Sequence, residues 1–364
     1  MHKVPWEIPS IDSGDFEEIN KLWPYTKEVG AATISKFESD LASYVGVAHA
    51  SVVNNGSSAL ICALLASGIQ PGDKVAVPTY TFASVVNSII LMGGVPILVD
   101  SEHQTFNMSM TQLEKCTADH DIKAVIHVDV GGHPPDLGKL IDFCKDKHIA
   151  LIEDGAEALG SAYKGKKVGA FDHATTLSFH PAKQITTMEG GAILTNNDSV
   201  AKKLAIIRNH GMTSGYEHTE LGFNFRMTPF EAAFGISQLK KIDSFIERRN
   251  AIANRYSSGL DKLLKHQESK SYVTQHAWGA FLTLVDTSIS RDSLLQYLFE
   301  KGIEARVMWK PVHLQDYHKF LATIRYPVAE DIFHRVLSLP IGNGMSSDAV
   351  DYVINSANYY LEQT

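Results

Sequence analysis

The chain has 364 residues, 44% hydrophobic and 20% charged, with a formal net charge of −8. At roughly 150 residues per domain this length makes about two domains with a large core, which excludes disordered, collagen-like and mini-protein classes. An acidic balance without a long Lys/Arg run argues against a general nucleic-acid binder.

In chain order, the first twelve residues, MHKVPWEIPSID, lack the apolar run of a secretion signal. Residues 48–53 are strand-like, and NNGSSAL (54–60) opens a helix that ends near Gly68. Short β-branched runs follow at 74–78 (KVAVP), 95–100 (VPILVD), 124–130 (AVIHVDV), 150–154 (ALIED), 174–179 (ATTLSF) and 191–195 (GAILT). Helical patterns lie between them; at 135–146, Leu137, Leu140, Ile141 and Phe143 share a face. Strands buried on both faces and alternating with helices predict an α/β fold with a mostly parallel sheet. After Pro229, the spacing of Phe230, Ala233, Phe234, Leu239, Ile242, Phe245 and Ile246 predicts one long amphipathic helix running into 247–250. Strand-like 280–285, a helix at 291–301, strand-like 303–308 and a helix near the end read as a smaller α+β unit. The expected division is a large domain at 1–246 and a small C-terminal domain at 247–364.

The most apolar stretch, 83–99, is broken by Asn87, Gly93, Gly94 and Pro96, and falls short of the ~20 residues of a membrane helix. Cys62, Cys116 and Cys144 are scattered and form no Cys-x-x-Cys pair. They predict neither a disulfide framework nor a thiolate metal site. A cytoplasmic chain with no membrane partner, no nucleic-acid partner and no metal is expected.

Four places carry candidate chemistry. Gly56, Ser57 and Ser58 open a helix, where free N–H groups, hydroxyls and the helix dipole make a phosphate seat; a plain serine helix cap is the commoner use of such a sequence. Asp154, beside Glu153, ends a strand, where open α/β sheets bind ligands and a carboxylate can face a cation; the alternative is a helix cap. Lys183, in SFHPAK (178–183), follows a strand that Pro181 terminates. Its amine could serve as a nucleophile if deprotonated, while lysines are usually solvated. Phe82, in YTF (80–82), could stack on a flat ring or pack in the core. There is no G-x-G-x-x-G and no G-x-x-x-x-G-K-[ST], so dinucleotide and P-loop readings lose their support. Anion seat, aromatic, carboxylate, hydroxyl and lysine together are what a phosphorylated pyridine aldehyde needs.

These residues resemble the DegT/DnrJ family of sugar aminotransferases, of the fold-type-I, aspartate-aminotransferase-like class of pyridoxal 5'-phosphate enzymes. The likeness runs through 29–43, NNGSSAL, PTYTFAS (78–84), TFNM (105–108), IEDGAEALGSAYKGKKVGAFD (152–172), LSFHPAKQITTMEGGAILTN (177–196), RNHG (208–211), GFNFRM (222–227) and LSLP (337–340). The resemblance implies that Lys183 is the Schiff-base lysine and proton shuttle and that Asp154 pairs with the pyridinium nitrogen. It implies that Phe82 stacks on the ring, that Gly56, Ser57, Ser58 and Ser178 hold the phosphate, and that Glu157 lies beside the pyridine hydroxyl oxygen. Asn224 would reach the phosphate of a partner subunit, making a homodimer with shared active sites. Arg226 and His313 would touch the substrates.

The implied reaction moves an amino group from L-glutamate to a nucleotide-linked keto-sugar, for polysaccharide, glycan or secondary-metabolite sugars. Glu157, where many relatives have Gln or His, resembles the perosamine-synthase-like subset that aminates carbon 4 of a 4-keto-6-deoxyhexose. Gly155, Met188 and the stretch VDVG (128–131) also depart from the usual pattern. A branch of the family that dehydrates sugars has His in place of the lysine, so Lys183 favours transamination. Another sugar reaction on the same fold, by dehydration or deamination, and a non-catalytic regulator are the alternatives.

Overall fold

The computed structural model describes residues 4–322 and 324–364, so positions 1–3 of the expected large domain and of the N-terminal sequence lie outside the described residues. Seven strands build the central sheet: β1 (His49–Val53), β2 (Lys74–Pro78), β3 (Val95–Val99), β4 (Ile122–Val128), β5 (Ala150–Asp154), β6 (Ala174–Ser178) and β7 (Gly191–Thr195). Their order is β1-β7-β6-β5-β4-β2-β3. From β3 to β6 all neighbours are parallel, and β7 is antiparallel to both β6 and β1. The expected α/β fold with a mostly parallel sheet is the fold observed. The runs are apolar throughout because both faces are covered. Val75 and Val77 of β2 face one core cluster, and Ala76 between them faces another with Val99, Val125 and Leu140.

The reversal at β7 puts the carboxyl ends of β1 and β6 on one edge, since Val53 and Ser178 both pair with Gly191. Only glycine fits there. A Cβ on residue 191 would stand 2.6 Å from the Asn55 carbonyl oxygen and 2.8 Å from that of Leu177.

The C-terminal unit is a three-stranded sheet of Leu264–His266, Phe281–Val285 and Val336–Leu339, covered by the helices Arg291–Glu300 and Ser347–Glu362. Three features differ from the sequence expectation. First, the single long helix is two, Pro229–Lys240 and Ile242–Gly259, joined at Lys241. The second helix crosses position 246. Ile242, Phe245 and Ile246 pack in the large-domain core, and Ile252, Ala253 and Tyr256 pack in the C-terminal one. The expected boundary therefore falls inside a helix, where burial passes from one core to the other. Second, Val4, placed by expectation in the large domain, packs in the core of the C-terminal unit. Val4 N–H donates to Gly302 O at 3.0 Å, and Glu304 N–H donates to Val4 O at 2.9 Å. Third, 303–308 is not a strand; isolated bridges at Ile303 and Arg306 are its β pairing, and from Ala305 onward it runs past the sheet edge toward the cavity described below.

Gly191→Ala should cost about 1–3 kcal/mol, the usual range for forcing extra atoms into a packed interior. Urea unfolding checks this, and an unchanged midpoint would mean that the β1–β6 edge has slack.

Candidate active site

The strand ends converge on a cavity of about 420 Å³. Gly56, Ser57, Phe82, Asp154, Glu157, Ser178 and Lys183 all line it. Helix Gly56–Ala66 starts directly after β1, and its cap is Asn55, whose Oδ1 accepts Ser58 N–H at 2.8 Å. The serine-cap alternative is therefore not used, and Ser57 stays exposed in the first turn. A Cβ on Gly56 would lie 3.0 Å from Ser178 Cβ and 3.3 Å from its Oγ. The missing side chain lets the helix start settle onto Ser178. Two hydroxyls and the orphan N–H groups of a first turn thus share one corner, which is an anion cradle.

Phe82 precedes helix Ala83–Leu91 and is 59% exposed at the cavity wall, so it is not a core residue. Its neighbour Tyr80 takes that role, fully buried with its hydroxyl on Met308 O at 2.7 Å.

Asp154 ends β5 and is 7% exposed. Its Oδ1 accepts Ala156 N–H at 3.1 Å and Thr176 Oγ1–H at 3.4 Å, and no helix follows for it to cap. Burial lifts its carboxyl to about 6, against the Ala156 hydrogen bond and the charge of Lys183. The neighbouring Asp129 is fully buried, and burial, reinforced by Glu153 and Asp154, pushes it well above the carboxylate range. Of these two, Asp154 is the carboxylate that a cationic ligand would ionise more readily.

Lys183 sits in the turn after β6, its N–H donating to His180 O at 2.9 Å. Its side chain is 19% exposed, so the solvated-lysine alternative does not hold. Its Nζ donates to Glu157 Oε1 at 3.4 Å, and Glu157 Oε2 accepts Gly131 N–H at 2.9 Å.

Four expected site residues stand outside the cavity lining. Ser58 is buried with its N–H given to Asn55. Asn224 and Arg226 are exposed, bridged to Asn209 and Val53, with Arg226 Nη1 on Asn209 Oδ1 at 2.5 Å. His313 is buried, its Nδ1 at 2.6 Å from Thr79 Oγ1 and its ring against Tyr326. Its Nδ1 contact joins the two units, while its Nε2, 3.6 Å from Glu330 Oε1, makes no hydrogen bond among the described residues. The lining also includes Trp6, His180, Arg306 and Trp309, which sequence reasoning did not select. His180 lay within the SFHPAK motif; the others come from segments far away in sequence, with no local signal.

An anion cradle, an exposed aromatic face, a buried carboxylate needing a cation, and a shielded primary amine fit pyridoxal 5'-phosphate group by group. Residues 11–358 match the DegT/DnrJ/EryC1/StrS aminotransferase family. The chain belongs to that family and is an aminotransferase. GDP-perosamine synthase of Escherichia coli O157:H7 is 36% identical, over 99% of each chain. A UDP-4-amino-4,6-dideoxy-N-acetyl-beta-L-altrosamine transaminase of Campylobacter jejuni is 32% identical, over 99% of this chain and 98% of its own. Among solved structures, Helicobacter pylori PseC, an aminotransferase involved in the biosynthesis of pseudoaminic acid, superposes with a TM-score of 0.92 at 26% identity, over 99% of this chain and 100% of that one.

The raised Asp154 carboxyl has a signature in the cofactor-free protein. Wild type holds the extra proton only when folded, so this contribution is complete below about pH 4 and fades as pH rises through 6. Asp154→Asn lacks the titration. Cofactor-free Asp154→Asn should therefore gain on wild type between pH 4 and 6, by up to about 3 kcal/mol. A pH-independent difference in urea unfolding would refute the assignment.

Proposed function

We propose that this chain transfers the amino group of L-glutamate to carbon 4 of a GDP-linked 4-keto-6-deoxyhexose, supplying an amino sugar for polysaccharide biosynthesis. The observation that carries the reading is the amine of Lys183, held in the cavity between Glu157 and the strand ends that bear Asp154 and Ser178. The perosamine synthases among its relatives support the GDP-linked acceptor, and Glu157 supports the carbon-4 position.

Pyridoxal 5'-phosphate is the cofactor, and when bound it supplies an electron sink conjugated to the substrate carbon. The protein's residues do the rest. Gly56, Ser57 and Ser178 would bind the phosphate, Phe82 would cover the ring, and Asp154 would keep a proton on the pyridine nitrogen. Lys183 Nζ would take the proton from the amino-donor carbon and hold it for return, and positioned proton transfer of this kind contributes about 10²–10⁴-fold. Glu157 Oε1, within reach of that amine, orients it and accepts hydrogen bonds from cationic or protonated groups beside it. The same steps in reverse aminate the keto-sugar. Dehydration chemistry loses ground because position 183 is a lysine whose amine is in the cavity. A non-catalytic regulator would have no need of the complete set.

A homodimer with shared sites completes this reading. Asn224 and Arg226 lie on an exposed segment, beside Leu221 (58% exposed) and Phe223 (54% exposed), and do not line the cavity that holds Lys183. A partner subunit would cover these apolar side chains and receive Asn224. Among the described residues no helix is long and apolar enough to cross a membrane, and a cytoplasmic enzyme fits the nucleotide-sugar substrate.

Incubation with L-glutamate and a panel of GDP-, UDP- and dTDP-linked 4-keto-6-deoxyhexoses should give an aminated product by mass, fastest with GDP. Lys183→Ala should lower that turnover by at least ~10²-fold. No aminated product from any of them, or full activity in Lys183→Ala, would overturn the reading. Mixed dimers of Asn224→Ala and Lys183→Ala subunits should regain part of the lost activity, because one of the two shared sites is then intact. Mixtures no more active than the parents would contradict a shared site.

A further inference from the structure

The cavity wall made by the C-terminal unit carries a permanently charged group that the reading above leaves without a task. Arg306, Val307, Met308 and Trp309 line the cavity together with Trp6. An arginine is charged at every working pH, and Arg306 is the sole arginine of the lining.

Its guanidinium is oriented from two sides. Nε donates to Glu304 Oε1 at 3.1 Å, and Nη2 donates to the same oxygen. The Trp6 ring lies under it, 4.6 Å from centroid to guanidinium carbon. Trp6 is itself fixed, its Nε1–H on Ser338 Oγ at 3.0 Å and its backbone N–H on Glu304 Oε2 at 3.2 Å. Glu304 therefore holds the arginine with one oxygen and the tryptophan backbone with the other. The Nη1 edge makes no hydrogen bond among the described residues, and the side chain remains 52% exposed where it borders the cavity. A planar fork with one edge and one face already fixed is preorganised for a carboxylate or phosphate at the remaining edge.

We infer that Arg306 is the seat for a substrate oxyanion, a carboxylate of the amino donor or a phosphate of the nucleotide-sugar, with Glu304 as its positioning residue and Trp6 as its platform. The identity of these two ligands rests on the aminotransferase reading. The chemistry they share is a delocalised oxyanion a short distance from the reacting carbon. In this arrangement the N-terminal segment is part of the substrate site, because its pairing with 302–304 is what brings Trp6 under the guanidinium.

The test uses the cofactor-loaded protein and three variants: Arg306→Gln, Arg306→Lys and Glu304→Gln. The glutamate and keto-sugar half-reactions are followed separately by cofactor absorbance, and binding of glutarate and of GDP is read by tryptophan fluorescence. Arg306→Gln should weaken binding in at least one arm by about 10–100-fold, the worth of a charge-assisted hydrogen bond, with the limiting rate within about threefold. Arg306→Lys should recover part of that affinity. Glu304→Gln should weaken the same arm, and adding it to Arg306→Gln should cost nothing more. The arm that moves names the oxyanion: glutarate and glutamate for the carboxylate, GDP and keto-sugar for the phosphate. Unchanged affinity in both arms, or a fall in limiting rate alone, would overturn the inference. If wild type converts no glutamate, the aminotransferase reading fails, while glutarate and GDP binding still decide the role of Arg306.

Discussion

A carboxylate that is 7% exposed, at the carboxyl end of a parallel strand, makes no ion pair among the described residues, and much of this structure follows from that. Asp154 is anchored by one backbone N–H and one threonine hydroxyl, while burial works against its charge. A folded chain keeps such a group when a ligand supplies the missing cation. The sheet topology then decides what else that ligand meets. Because β6 runs parallel to β5, Ser178 and the Lys183 turn lie on the same edge as Asp154, and because β7 reverses direction between β6 and β1, the helix start at Gly56 joins them. The small residues at 56 and 191 are the local cost of that convergence, each replacing a side chain that would strike the neighbouring strand end.

The remaining wall comes from elsewhere in the chain, and a second buried charge ties it down. Arg249, fully buried on the helix that crosses between the two cores, donates to Glu7, to Asn343 Oδ1 and to Trp278 O. Burial pushes Glu7 up to about 8 even with this partner beside it. Asn343 in turn donates to Gln184 O, next to Lys183. One guanidinium therefore links the N-terminal segment, the C-terminal unit and the lysine turn. The chain order of these pieces is unrelated to their spatial order, so the site exists only once both cores have formed.

The sheet was readable because its strands are covered on both faces, which leaves unbroken runs such as KVAVP and ALIED with sharp ends. Gly56, Ser57, Phe82, Asp154, Ser178 and Lys183 were readable because they sit directly at those ends, where a residue's neighbours in sequence are also its neighbours in space. The serine-cap alternative fails because Asn55, two positions before Ser57, supplies the side-chain oxygen that accepts the Ser58 N–H. The helix split at Lys241 leaves the apolar spacing on either side intact, so periodicity carries no trace of it. The run 303–308 has the composition of a buried strand, yet it serves as cavity wall. Trp6 and Arg306 had no signal at all, since their association depends on a segment about 300 residues away in the chain. His313 had the chemistry of a ligand, and its place outside the cavity lining, with Nδ1 on Thr79, depends on a contact far away in sequence.

The most direct test of this account is to load the protein with pyridoxal 5'-phosphate, reduce it with borohydride and map the modified peptide by mass spectrometry. A single phosphopyridoxyl group on Lys183 is the predicted result. An unmodified chain, or the group on a different lysine, would contradict the placement of the reacting amine and with it the site built around Asp154.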